Sequence, residues 1–151
     1  MSKIFDMEPT MPFREKSAWL MAILLALVSI GYYAVVVMMS AAIGRLVPPL
    51  IPLLVAFTIV LTILASGSHI IIAVLAPKDA VARADERERA ISARAGAWSG
   101  YVFATGVALA LGLYLIASNG DLLFYCVFGS WVLAQLSEYV FEIALFRRRA
   151  L

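Results

Sequence analysis

The chain has 151 residues, of which 64% are apolar and only 15% are charged. Because soluble domains carry about 25% charged residues, this composition excludes an ordinary soluble domain and indicates a membrane protein. The formal net charge is +2. No aromatic side chains are interleaved with the basic clusters, so we expect no nucleic-acid partner.

Four apolar runs are each long enough to cross a membrane. A helix rises about 1.5 Å per residue, so about 20 apolar residues cross a hydrocarbon core of about 30 Å. The runs cover residues 17–42, 51–76, 96–117 and 122–146. Since they are continuously apolar and do not alternate, they predict helices and exclude a membrane β-barrel. The first run exceeds the apolar region of a signal peptide, about 7 to 15 residues, so we expect it to be retained as a span.

These runs predict an all-α membrane protein with a single domain over residues 1–151. The connections after the first and third runs are short, so each pair of runs should form a helical hairpin. Residues 77–95 join the two hairpins and contain Val81 and Ile91 on one side of a helical pattern, with charges on the other. We therefore predict four transmembrane helices, arranged as two hairpins joined by an amphipathic connector helix at the cytoplasmic interface.

The distribution of basic residues predicts the orientation of the chain. Eleven of the twelve basic residues precede the first run, lie between the second and third, or follow the fourth. Arg45 alone lies in a connection on the other side. Because basic residues accumulate on the cytoplasmic side, we predict a multi-pass protein of the bacterial cytoplasmic (inner) membrane with both termini in the cytoplasm. The basic clusters should also attract anionic lipid headgroups.

The connector is a candidate partner face. Opposite charges at helical spacing, such as Asp85 and Arg89, can pair along one helix. The run could dock a cytoplasmic partner, or it could be a solvated, lipid-facing helix with internal ion pairs. The residues that would form the partner face are Asp85, Glu86, Arg87, Arg89 and Arg94.

Polar residues recur along one side of the second run. Thr58, Thr62, Ser66 and His69 follow helical spacing, so we expect this stripe to face other helices instead of lipid. Hydroxyls in such positions commonly bond the carbonyl of the preceding turn. The single histidine lies near the cytoplasmic end of its helix and titrates near physiological pH in its unperturbed state.

The fourth run carries two acidic residues within its apolar stretch. Gln135, Glu138 and Glu142 share one helical face, and an acid near mid-membrane costs about 2.5 to 3.5 kcal/mol on insertion scales. One interpretation pairs Glu142 with a basic residue of the connector, such as Arg94, and leaves Glu138 protonated against a hydroxyl. The other joins residues of similar depth into an intramembrane polar site for a proton or cation. Its residues would be His69, Glu138, Glu142, Gln135 and Ser66.

The third run has small residues at every fourth position, and this spacing permits close helix approach. The ladder predicts a packing face either within the chain or between copies in a homo-oligomer. It consists of Gly96, Gly100, Ala104, Ala108 and Gly112.

The connector and the start of the third run resemble the same region of a known group of proteins. Asp85, Glu86 and Arg87, followed by Ile91 and Ala95, resemble a group of small prokaryotic four-helix membrane proteins of unknown function. The resemblance implies the architecture and a bacterial membrane but no catalytic residues.

Sequence motifs of the common enzyme classes are absent, and the polar residues fix no metal geometry, so we predict a non-enzyme without cofactor or metal. The sequence favours a small proton- or cation-linked transporter or channel. The alternative is a non-transporting accessory or regulatory subunit that docks a partner through its connector.

Overall fold

A computed structural model describes residues 13–75 and 86–148, and the remaining residues lie outside the described part. Within it the chain is helical apart from two connections, and its helices are α1 (Phe13–Ile43), α2 (Ile51–Leu75), α3 (Glu86–Ala117) and α4 (Gly120–Arg148). Three helices are long and apolar enough to cross a membrane. They are α1, α3 and α4; the apolar stretch of α2 that the search covered, Ile51–Gly67, is shorter. The predicted all-helical membrane class is therefore confirmed.

A left-handed glycine and a hydrogen bond to a serine side chain shape the connection between α1 and α2. Gly44 has a φ of 69°, the left-handed conformation that glycine supplies at helix C-termini. The Val47 N–H donates to Ser40 Oγ at 3.0 Å, which ties the connection back to α1. Proline at position 52 falls in the first turn of α2, where a missing N–H costs nothing.

A two-residue connection joins α3 to α4. Asn119 Oδ1 accepts the Leu122 N–H at 3.0 Å, so this side chain caps the N-terminus of α4. Asp121 places a negative charge in the first turn, where the helix dipole favours it. The short connection makes α3 and α4 antiparallel neighbours, as the sequence predicts.

The helices form an open row in which α1 and α4 are the central pair. Within the described residues, α2 packs mainly on α1 and α3 packs mainly on α4. An apolar core lies between α1, α2 and α4, where Tyr32, Phe57 and Phe128 have ring centroids 5.0 to 5.5 Å apart. One end of the bundle contains the first residues of α1 and α3 and the last residues of α2 and α4. We call this the basic end.

Two tyrosines fix the central pair far from the basic end. Tyr33 Oη donates to the Tyr125 carbonyl at 2.9 Å, and Tyr125 Oη donates to the Val47 carbonyl at 3.1 Å. A Cβ at Gly129 would lie 2.9 Å from Tyr33 Oη, so this glycine makes room for the phenol. The connection after α1 is thereby held against α4.

Residues 86–95 of the predicted connector form the first turns of α3. The helix continues without interruption through Gly96 to Ala117, so these residues are not a separate interfacial helix. Asp85 and the rest of residues 76–85 lie outside the described part. The charged residues Glu86, Arg87 and Arg89 are exposed on this first section of α3.

The packing face of α3 differs from most of the predicted ladder. Ile91, Ala95, Ser99 and Ala110 are buried, whereas Gly100, Ala104, Ala108 and Gly112 are exposed. Gly96 is the ladder residue that lies against α4, beside Glu138. For the other four residues the intrachain interpretation is wrong, because they lie on other sides of the helix; a contact between copies stays a prediction.

Candidate intramembrane polar site

Glu138 and Glu142 both lie where α4 packs on α3. Ser92 Oγ donates to Glu142 Oε1 at 2.5 Å, and both residues are partly buried. Ser99 Oγ lies 3.4 Å from Glu138 Oε2, and Ser99 is only 6% exposed. Each of these two carboxyl groups therefore meets a serine hydroxyl of the neighbouring helix.

Helical periodicity explains why the two serines face the two acids. Ser92, Gly96 and Ser99 are separated by four and three residues, so they share one face of α3. A Cβ added at Gly96 would lie 3.7 Å from Glu138 Oε1, which is an ordinary van der Waals contact. The Glu138 carboxyl group thus lies against Gly96 and Ser99.

The antiparallel register gives the relative depth of the acids. Glu138 lies beside Gly96 and Ser99, beyond Arg94, which is the last charged residue along α3. Glu142 lies one turn, about 6 Å, closer to the basic end. Glu142 is therefore level with the charged section of α3, whereas Glu138 lies beside its apolar section.

The interpretation that pairs Glu142 with Arg94 has no support in the described part of the chain. There Glu142 accepts a hydrogen bond from Ser92, and Arg94 is exposed without an ion pair. Gln135 is half-buried on α4, one turn deeper than Glu138. The region around Glu138 is thus polar but holds no described counter-charge.

Three residues of the polar stripe of α2, Thr58, Thr62 and Ser66, do not face the other helices of this chain. Thr58 Oγ1 donates to the Leu54 carbonyl at 3.0 Å, and Thr62 Oγ1 donates to the Thr58 carbonyl at 2.8 Å. Both threonines and Ser66 are exposed. The prediction of an inward stripe is therefore wrong for these three residues, because the threonine hydroxyls are satisfied by their own helix.

The backbone of His69 is part of helix α2, and its side chain is outside the described part. Helices α2 and α4 run in the same direction, and Phe57 contacts Phe128 with centroids 5.3 Å apart. Both helices rise by the same amount per residue, and position 69 follows Phe57 by as many residues as position 140 follows Phe128. Position 69 is therefore level with position 140. The backbone of His69 therefore lies at a depth between Glu138 and Glu142.

The sequence reasoning missed a buried acid at the basic end. Glu15 precedes the first predicted apolar run, residues 17–42, yet it lies in the first turn of α1 and is 5% exposed. Arg147 Nε donates to Glu15 Oε1 at 3.0 Å, and its guanidinium lies 5.5 Å from the centroid of the Trp19 ring. The spacing of Glu15 and Trp19, one helical turn apart, could have indicated that α1 begins before its apolar run.

Among the residues that the structure describes, no group of three or more His, Cys, Asp or Glu side chains could hold a metal ion. The atoms that converge at Glu138 and Glu142 are carboxyl and hydroxyl oxygens, which bind protons and hard cations. No protein-family model, curated protein or solved structure matches this chain. The resemblance based on Asp85, Glu86 and Arg87 therefore stays a prediction, and the site must be interpreted from its chemistry.

Proposed function

We propose that this chain is a small transporter or channel of the bacterial cytoplasmic membrane, coupled to a proton or a small cation that binds at Glu138 and Glu142. One observation carries the proposal. Glu138 and Glu142 of α4 each meet a serine hydroxyl of α3, and Glu138 lies deeper than Arg94, the last charged residue of α3.

The depth of Glu138 favours function over a purely structural role. Acidic groups in an apolar span are costly and normally line a substrate or ion path. Within the described residues, the contacts of Glu138 and Glu142 are to serine hydroxyls, and neither acid pairs with a described basic residue. Glu142, one turn nearer the basic end, would receive the ion, and Glu138 would hold it deeper in the membrane. We propose His69 as a further member of the site, because its backbone on α2 lies at a depth between those of the two acids.

The arrangement in the membrane belongs to the same proposal. We take α2 as a fourth span because its helix continues to Leu75. We take the basic end as cytoplasmic because eleven of the twelve basic residues precede the first apolar run, lie between the second and third, or follow the fourth in the sequence. Anionic headgroups would surround this end. The exposed small residues of α3 from Gly100 to Gly112 support a homo-oligomer, since such residues permit close helix approach.

Flux measured in proteoliposomes tests the proposal. The full chain should carry a pH-dependent proton or cation flux, and Glu138→Gln should abolish it because the amide cannot exchange a proton or neutralise a cation. Asp121→Asn is the matched control: it makes the same chemical change on the same helix, but at the opposite end, and should retain the flux. Circular dichroism should show equal helix content in both variants.

An accessory subunit is the second candidate, and the length of α3 favours it. This helix has 32 residues, so it extends about 48 Å, about 18 Å beyond the hydrocarbon core. Its charged first turns therefore project from the membrane, where a partner could bind Arg89 and its neighbours. If the wild-type protein carries no flux across a broad screen of ions and solutes, transport is contradicted and this second function is favoured.

A further inference from the structure

An apolar groove lies between α3 and α4, in the half of the bundle away from the basic end. Its volume is about 530 Å³, and small-molecule sites commonly have volumes of about 300 to 1,000 Å³. Four aromatic side chains contribute to its lining, Phe103 of α3 and Phe124, Phe128 and Trp131 of α4. Phe103 and Trp131 are exposed, so the groove is open on one side and has the size of an organic molecule.

The aromatic side of α4 continues into its acidic side. Successive spacings of three or four residues place one set of side chains on a single face of this helix: Phe128, Trp131, Gln135, Glu138 and Glu142. Glu138 follows Trp131 by two turns, about 10 Å along the helix. The groove and the two acids thus follow one another along one side of α4.

The facing side of α3 has the same order of chemistry. Phe103 follows Ser99 by one turn, about 6 Å, on the face that also carries Gly96. Ser99 Oγ lies 3.4 Å from Glu138 Oε2. The wall of the groove at Phe103 is therefore one turn away from a residue that contacts the acid. Both helices are aromatic toward one end of this face and carry hydroxyl or carboxyl groups toward the other.

Charge complementarity indicates which class of molecule fits both parts. Within the described residues neither Glu138 nor Glu142 pairs with a basic residue, so a bound positive charge would compensate them. Inorganic cations bind through several oxygen ligands, whereas the side chains that line the groove are apolar. An aromatic organic cation can place its rings among the aromatic side chains, which stack with rings and attract cations, and direct its charge toward Glu138.

We infer that the groove and Glu138 together bind an aromatic organic cation, which is the substrate that this protein carries. The inference deepens the proposed function and rests on it for transport, but not for binding. Substrate and coupling ion both neutralise Glu138, so binding of one favours release of the other. The acyl chain of a lipid would fill the aromatic part alone and gain nothing from Glu138. Charge selectivity therefore distinguishes the two occupants.

Equilibrium binding of radiolabelled tetraphenylphosphonium to the full chain in detergent micelles tests the inference. The protein should bind this aromatic cation saturably. It should bind tetraphenylborate, an anion of the same shape, at least about tenfold more weakly, because the anion is repelled by the acids. The comparison needs no variant and separates a charged site from partition into the micelle, which is not saturable.

Three variants locate the bound cation. Glu138→Gln should weaken its binding by about tenfold or more, since the amide carries no charge. Trp131→Ala and Phe103→Ala should each weaken it by about fivefold, because an aromatic contact is lost. Trp98→Ala is the matched control and should keep the wild-type affinity, since the Trp98 ring contacts Phe141, outside the groove. Circular dichroism checks that each variant is folded.

Three results would overturn the inference: no saturable binding of tetraphenylphosphonium, equal affinity for tetraphenylborate, or an affinity that none of the three variants changes. If Glu138→Gln does not fold, the comparison of the two probe ions and the Phe103→Ala variant still decide. The flux assay separates the two proposals. Charge-selective binding without any flux contradicts transport alone, whereas proton or metal-cation flux in a chain that does not bind the aromatic cation contradicts the substrate assignment alone.

Discussion

At the scale of single residues, Gly106 sets how closely α3 approaches α4. A Cβ at this position would lie 2.7 Å from Ser130 Cβ and 2.5 Å from Ser130 Oγ, closer than real side-chain contacts allow. Ser130 Oγ donates to the Cys126 carbonyl at 2.7 Å, so its hydroxyl needs no partner on α3. The helices can therefore meet at this level only while position 106 lacks a side chain.

Gly106→Ala should lower the free energy of unfolding by about 1 to 3 kcal/mol, because the added methyl group forces α3 and α4 apart. Gly112→Ala is the matched control, since a Cβ there meets nothing within 4 Å. Unfolding in mixed detergent micelles, followed by circular dichroism, measures both values. Equal stabilities of the two variants would contradict the close approach.

At the scale of elements, the start of α1 is joined to the end of α4 by a charged contact. The side chain of Glu15 is 7% exposed, whereas that of Arg147 is 60% exposed and lies over the Trp19 ring. A buried carboxylate depends on its cation much more than an exposed arginine depends on its anion. The contact therefore stabilises the helix pair mainly by satisfying Glu15.

Arg147→Ala should destabilise the protein by about 1 to 3 kcal/mol, because it leaves the Glu15 carboxylate buried without a hydrogen-bonded cation. The double variant Glu15→Gln, Arg147→Ala should be more stable than Arg147→Ala, since the uncompensated charge is gone. Arg94→Ala is a suitable control, being exposed and without an ion pair among the described residues. Thermal unfolding in detergent gives the ranking; a double variant weaker than Arg147→Ala would refute this explanation.

At the scale of the whole molecule, the charge asymmetry predicts which end of the bundle faces the cytoplasm. Arg45 lies in the connection after α1, and Arg89 lies in the first turns of α3, so the two residues mark opposite ends. Both are exposed. Each position is therefore accessible to a water-soluble reagent on its own side of the membrane.

Arg45→Cys and Arg89→Cys, each built with Cys126→Ser, should label differently with a membrane-impermeant maleimide. Intact spheroplasts should label the cysteine at position 45 only, and permeabilised ones should label both, because basic segments stay in the cytoplasm. Labelling of position 89 in intact spheroplasts would reverse the proposed orientation. The Cys126→Ser chain without an added cysteine gives the background.

Much of the helical layout could be predicted from the sequence, because each span satisfies its backbone within itself and needs only a long apolar run. The predicted second span, residues 51–76, closely matches α2 (Ile51–Leu75), and the fourth, 122–146, lies within α4. The shared face of Glu138 and Glu142 follows from helical spacing alone. The sequence also indicated that these two acids have the highest free-energy cost of membrane insertion in the predicted fourth span.

The tertiary structure alone decided which faces meet. Thr58, Thr62 and Ser66 of the α2 stripe are exposed, and α3 packs at Gly106 instead of along most of its small-residue ladder. Ser92 and Ser99 are the partners of Glu142 and Glu138. In a soluble protein an apolar stripe marks the buried face of a helix. In a membrane, lipid is as apolar as a neighbouring helix, so hydrophobic periodicity carries little information about partners. Close packing and hydrogen bonds between distant residues select them, and those contacts exist only in the folded chain.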